Sequence, residues 1–358
     1  MSAANLDGAD LAAVELGGLI NEDVLQKIFD ISDIPLPFTD MIGKGSHENE
    51  YNEWTMDRLA EPDLTNAVVD GADAGVDVSA TGIRVANHSQ ISEKTLRVST
   101  RAQDSGTIGF ANSLAYQVMM RSNEARRDAE AIMLSVQASV ADDGALIPGK
   151  SAGLGAWIVG TDIFGTATLS ANRGALGADG GWLDTSTDGL VATPTSGTVR
   201  ALSLATIQDV LQSVWALGGD PSVIMARPEV IRPLSTFMFT SVANIATLER
   251  DTSGSSSAAE AMMSVNVLIT DFGVTVKMIA NRLQQTQDAP GAALEDSLYI
   301  ITPAMAMQSF LTGWNVAPIA KTGTADNRQV SADWSLKILN WESFGVVADI
   351  DASTAVVA

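Results

Sequence analysis

The chain has 358 residues, 46% of them apolar, and carries 21 Lys and Arg against 43 Asp and Glu, for a formal net charge of −22. That acidity opposes simple nucleic-acid binding, which is driven by counterion release onto clustered basic side chains. With no cysteine and only His47 and His88 as imidazoles, the chain excludes disulfides, thiolate metal centres and thiol nucleophiles.

At roughly 150 residues per domain, the length fits about two domains. The first 80 residues hold 17 acids and three bases (Lys27, Lys44, Arg58), a balance of −14; residues 81–130 hold seven bases and five acids, a balance of +2. The acidic front opens on MSAANLDGADLAAVELGG, where a secretory leader would need a basic start. No apolar run approaches the roughly 18 residues that a membrane span requires, so no membrane partner is expected.

Residues 50–60 (EYNEWTMDRLA) and 83–100 (IRVANHSQISEKTLRVST) show β-branched content and partial alternation around an Ala/Gly/Asp-rich stretch. They predict two strands joined by a long tip, a ribbon too poor in apolar residues to fold alone. From Ile108 to Ala141 apolar residues recur at three- and four-residue steps with no proline, and Asn123–Glu130 sets charges three and four apart. A helix over this range would reach about 50 Å.

Residues 142–200 are rich in Gly, Thr, Ala and Asp and read as loop with short β-structure. Beyond them the expected elements are a helix at Leu204–Leu217, a strand at Ser222–Ala226 and a helix from Pro228. After a Ser-rich break come strands at Val265–Thr270, Val274–Ala280, Ser297–Thr302, Trp334–Trp341 and Phe344–Ile350. The fold class is mixed α+β.

Several motifs invite a chemical reading. Gly144–Ser151 satisfies the phosphate-loop pattern G-x-x-x-x-G-K-[ST], with Lys150 as its cation. Its context is wrong: a helix precedes it where a buried strand belongs, Gly-rich sequence follows, and Pro148 removes an N–H donor. Asp271-Phe272-Gly273 matches the kinase metal triplet without the accompanying loops and reads as a turn. Asp70, Asp73 and Asp77 miss the calcium-loop spacing. His47 and His88 lack an orienting carboxylate and read as surface residues. No catalytic, cofactor or metal residue emerges, and no enzymatic activity is expected.

An acidic arm, a protruding ribbon, a long helix and an α+β lobe, in that order, are parts suited to interlocking with copies of the same chain. The order and several strings resemble the major capsid proteins of tailed bacteriophages, with the Hong Kong 97 phage type of fold. The strings are Glu50-Tyr-Asn-Glu-Trp54 with Asp57-Arg58-Leu59, Arg84–Ile91 with Lys94 and Val98-Ser-Thr100, and Asn123–Glu130. Later in the chain they are Arg227–Phe237, Val267–Gly273 with Ala280-Asn-Arg282, and Phe310–Trp314 through Ile350. Residues 150–200 match least and read as a variable or inserted region.

The resemblance implies an amino-terminal arm over residues 1–45 and an extended loop over 46–100. It implies a peripheral domain with a spine helix over 101–150 and 305–358, a variable region at 151–200, and an axial domain over 201–304. It further implies hexamers and pentamers in an icosahedral shell that encloses double-stranded DNA without reading its sequence. A portal, and scaffolding or decoration proteins, would be the other partners, and the compartment would be the virion. Encapsulin-like shell proteins share the architecture and give the alternative reading, followed by an NTPase using Lys150. For subunit contacts the candidates are Trp54, Arg58, Arg84 and Arg97 on the ribbon and Arg126 and Arg127 on the spine, with the bases meeting the acidic front of a neighbour. No cross-linking side-chain pair is apparent, so non-covalent locking is expected.

Overall fold

The computed structural model describes residues 35–57, 59, 62–71, 73, 75, 82–105, 113–159, 171–183, 190–242, 267–270, 272–284, 296–321, 323–354 and 356. Residues 1–34 and Arg58 lie outside that set, as do parts of the ribbon tip and Asp271.

The described chain begins with a short helix, α1 (Pro37–Met41), and a strand, β1 (Gly43–Ser46). The ribbon follows as β2 (Tyr51–Met56) and β3 (Ile83–His88), paired antiparallel from Tyr51↔His88 to Met56↔Ile83. The single strand expected over 83–100 breaks at Ser89, whose amide bonds to the Glu50 carbonyl at 2.9 Å. The chain then enters β4 (Gln90–Ser99), which leaves the ribbon for a different sheet. The base of the ribbon packs on the chain's own core through Trp54, Met56 and Val85.

A short helix, α2 (Thr100–Asp104), precedes the long one, α3, which is described over Ser113–Met133. Its 21 residues rise about 31 Å. Its inward residues include Ala125 and Ala129, small enough for the backbone to lie close against β4. The helix stops short of Ala141. The Ser135 hydroxyl bonds the Ile132 carbonyl, and the Ser135 and Gln137 carbonyls accept the amides of Gly155 and Gly153. A Cβ at Gly153 would collide with the carbonyl oxygens of Ile132 and Ser135, so this crossing requires glycine. Past it lies one helical turn, α4 (Leu154–Trp157).

In the region that read as variable, β5 (Ala171–Asn172), β6 (Gly181–Leu183) and β7 (Leu190–Ala192) are short strands. The following lobe contains α5 (Leu204–Ala216), β8 (Val223–Ala226), α6 (Pro228–Val242), β9 (Val267–Ile269), β10 (Thr275–Ala280) and β11 (Asp296–Ile301). Two 14-residue strands, β12 (Ala306–Ile319) and β13 (Ala325–Ile338), form a long hairpin before β14 (Gly345–Ile350).

Two principal sheets result. One has the order β1-β12-β13-β4 and carries α3; the other has the order β5-β14-β11-β8-β10-β9. The largest core holds Phe38, Trp54, Met133, Trp157, Tyr299, Trp334 and Phe344, and so draws on both sheets. A second core lies under α5 and α6, where Ile207, Leu211, Val230 and Leu234 meet Ile224, Val276 and Leu298. Strands β8, β11 and β14 are buried at every position. That is the pattern of strands covered on both faces, and it explains their unbroken apolar runs. β5 pairs with the outer edge of β14, so part of the variable region closes a sheet edge.

Candidate inter-subunit surface

The contact candidates fall into different environments. Trp54 is 8% exposed. Alternation along β2 turns Asn52, Trp54 and Met56 inward. The Trp54 indole lies 5.4 Å from that of Trp157, with the Lys337 ammonium 5.2 Å from its ring centre. Within its own chain, Trp54 holds the ribbon's base to the core. Arg84 is exposed and pairs with Glu53 on β2, an ion pair whose solvation leaves it little stabilising value. Arg97 stands on the outward face of β4, opposite Asn327 in register. Arg58 lies outside the described residues.

On α3, Arg126 is exposed and Arg127 half-buried. Arg126 borders a groove with Lys44, Asp40, Leu36, Phe310 and Trp314, so aromatic surface, two cations and one carboxylate share one concavity. The Arg127 Nε is buried without a hydrogen bond. Neighbouring charges on the helix are already paired: Lys94 of β4 reaches Asp128 at 2.6 Å and Arg121 reaches Glu124 at 2.5 Å.

The opposite charge is found on the ribbon tip. Leu59, Leu64, Val68 and Val69 are 80–96% exposed there, among Asp63, Asp70 and Asp73. The side-chain and backbone hydrogen bonds of Thr65 hold the Asp63 carboxyl below its usual range, so it stays ionised. Monomers rarely leave four large apolar side chains this bare in one short segment.

One buried carboxylate escapes sequence reasoning. Glu130, in the run whose charges stand three and four apart, is completely buried. Its oxygens accept the amides of Phe38 and Thr39 at 2.8 Å each, the Thr39 hydroxyl at 2.5 Å and the Asn281 side-chain amide at 2.8 Å. The available signal is its place beside the small inward residues Ala125 and Ala129, one turn before buried Met133.

The phosphate-loop match resolves into a structural loop. Asp143 Oδ1 accepts the amides of Ala145, Leu146 and Ile147 at 2.8 Å each, so the anion in this cradle is the chain's own carboxylate, and these bonds lower the pKa of Asp143. Lys150 is exposed and bridges to Val140, while the buried Ser151 hydroxyl accepts the Leu336 amide at 3.0 Å. Against the surface expectation, His88 is buried and His47 half-buried. His88 is 7% exposed with its ring 4.9 Å from Tyr51. His47 joins the Ser309 and Ser89 hydroxyls at 2.7 Å each, and burial, then Lys337, hold its pKa down. Among the described residues no group of three or more acids and histidines is placed to hold a metal ion, and no helix is long and apolar enough to cross a membrane.

The arrangement of ribbon, long helix and two sheets is the Hong Kong 97-type capsid fold. The capsid protein of cyanophage A-1(L) is similar over 95% of this chain and 99% of its own, with a TM-score of 0.59 at 12% identity. The SrpI encapsulin of Synechococcus elongatus is similar over 99% of this chain and 98% of its own, with a TM-score of 0.56 at 11% identity. At such identities these likenesses speak for the fold alone. Sequence adds the function. The model of the SU10 major capsid protein family matches residues 7–351, and the major capsid protein of Escherichia phage Phieco32 is 26% identical over 336 residues, covering 87% of this chain and 89% of that one. The chain belongs to the SU10 major capsid protein family. It is a structural protein of the virion, not an enzyme, and it forms the shell of a phage head.

Proposed function

We propose that the chain builds hexameric and pentameric capsomers of an icosahedral head that encloses double-stranded DNA. In this reading residues 1–45 are an arm and 46–100 an extended loop laid over a neighbouring subunit. Residues 101–150 with 305–358 make a peripheral domain, and residues 201–304 an axial domain at the symmetry axes. The observation that carries the reading is the ribbon tip: four apolar side chains 80–96% exposed among acids, on a chain that also offers Lys44 and Arg126 around an aromatic groove. One heterologous contact repeated around a ring closes it, and many weak contacts become strong together.

The net charge of −22 fits enclosure of DNA without adhesion. A neutral or negative inner wall lets the genome enter with cations between. A portal protein, and scaffolding or decoration proteins, complete the assembly, and the shell is locked without covalent links. The family match favours a phage head over an encapsulin-like compartment, which shares the fold.

Negative-stain microscopy of the expressed protein tests the reading. Rings of six and five, or icosahedral particles, are the expected result; a discrete monomer at every concentration would overturn it. Denatured particles should run as one band near 37 kDa, and a ladder above it would overturn non-covalent locking.

A further inference from the structure

The helix at the root of the arm is not built to stand alone. α1 has five residues, far fewer than an isolated helix needs in water, and its N-cap residue, Leu36, has no side-chain acceptor. The missing cap comes from Glu130, 92 positions from Phe38. Phe38 and Thr39 are the second and third residues of α1, so their amides are among the orphan donors of its first turn. Glu130 satisfies both and takes the Thr39 hydroxyl as well.

The fourth donor comes from the other sheet. Asn281 follows β10; its own amide bonds the Ala226 carbonyl at the end of β8 at 2.9 Å, and its side-chain oxygen accepts the Leu283 amide at 2.8 Å. With its geometry fixed in this way, it donates Nδ2 to Glu130 Oε1. A carboxylate offers about four acceptor positions, and a buried one is tolerated when they are filled. Here they are filled by the arm root and the six-stranded sheet together, on a helix that lies against the four-stranded sheet.

We infer that Glu130 is the positioning residue of the arm's root: α1 forms and is seated only when both sheets are in the relative placement that brings Asn281 to the same carboxylate. The inference rests on the reading of residues 1–45 as an inter-subunit arm. It makes arm presentation a consequence of completed folding. It also means that a shift of one sheet against the other is transmitted to the arm through one side chain.

Glu130→Gln keeps the size of the side chain and places an amide donor against backbone donors. Amide hydrogen exchange on the full unassembled chain should show Phe38 and Thr39 exchanging at least about tenfold faster in E130Q. In Asn281→Ala, which touches neither amide, the same two positions should still quicken several-fold. Unchanged exchange at Phe38 and Thr39 in N281A would overturn the inference, and N281A decides the matter if E130Q does not fold. Shell geometry supplies a readout that simple destabilisation does not move. E130Q should build particles of irregular size and curvature, whereas Leu211→Ala, a cavity in the second core, should build fewer but regular ones. Regular shells from rapidly exchanging E130Q would also overturn it. Wild-type protein that formed no capsomers would instead overturn the reading of the preceding subsection, and the exchange result alone would then judge the clasp.

Discussion

The six-stranded sheet and the ribbon-bearing half of the molecule use their apolar residues in opposite ways. In the first, β8, β11 and β14 are buried along their whole length between α5 and α6 on one side and the tryptophan-rich core on the other. In the second, β12 is largely exposed past Phe310, with Leu311, Val316 and Ile319 at 38–41%, and the ribbon tip is barer still. The covered half still bares Val267 and Ile269 on its edge strand and Trp215 on α5, but its central strands are closed. On the proposed function, the apolar surface of the uncovered half is what a neighbouring copy covers.

That contrast is most directly broken at Trp157. It is fully buried and its ring meets those of Trp54, Trp182 and Trp341 at 5.4–6.4 Å. Trp157→Ala should cost about 3–5 kcal/mol of folding stability, read as a lowered urea midpoint. A loss under about 1 kcal/mol would mean that this core is loosely packed and the contrast is drawn in the wrong place. The charged groove should behave differently. Reversal of the exposed Arg126 to Glu should abolish shells in sedimentation analysis while the unassembled chain keeps its fold to within about 1 kcal/mol. Normal particles from R126E would remove the groove from the contact.

Much of the covered half was legible. The apolar stretches Val223–Ala226, Leu298–Ile301 and Val346–Ala348 announce strands because burial on both faces leaves no polar alternation within them. The long helix was legible in type but not in extent, because its end depends on Gly153 and Gly155, whose amides draw Ser135 and Gln137 out of the helix. β1, Gly43-Lys-Gly-Ser46, has no strand signature; it is a strand because the edge of β12 accepts it. The contact surface was less legible. Which face of β2 carries Trp54 follows only once the covered face is known. The burial of Glu130 was not legible because its four donors lie 91 to 151 residues away. Local spacing carries no trace of partners at such separations.

A smaller effect sharpens the boundary between the halves. Asp333 on β13 faces a concavity that Glu50 and Asp142 also line, and burial first, then Glu50, raise its pKa above the ordinary 3.8. A raised carboxyl pKa means that the folded state holds the proton more tightly than the unfolded chain does. Its stabilising contribution is therefore complete below 3.8 and is lost as pH rises through the folded value. At neutral pH the ionised Asp333 weakens the fold, so Asp333→Asn should raise the urea midpoint at pH 7, with the gain disappearing in acid below 3.8. A gain of equal size at both pH values would assign the effect to packing instead of charge.

The smallest expected change in the isolated chain is at the ribbon tip, where the contrast between the halves makes its firmest demand. Leu64 is 96% and Val68 84% exposed, so neither contributes buried area to its own chain. Replacing both by serine should leave the unfolding free energy within about 0.5 kcal/mol of wild type. Each side chain, fully covered by a neighbour, would remove apolar area worth about 1.5–3 kcal/mol from water. The loss recurs at every copy of the contact, so the concentration at which shells appear should rise steeply although the monomer is unaltered. Light scattering across a concentration series reads that threshold. If the threshold does not move, the tip's apolar side chains are not what neighbouring copies cover; if the monomer itself is destabilised, they are packed inside it. Only an unchanged monomer with a raised threshold assigns them to the space between subunits.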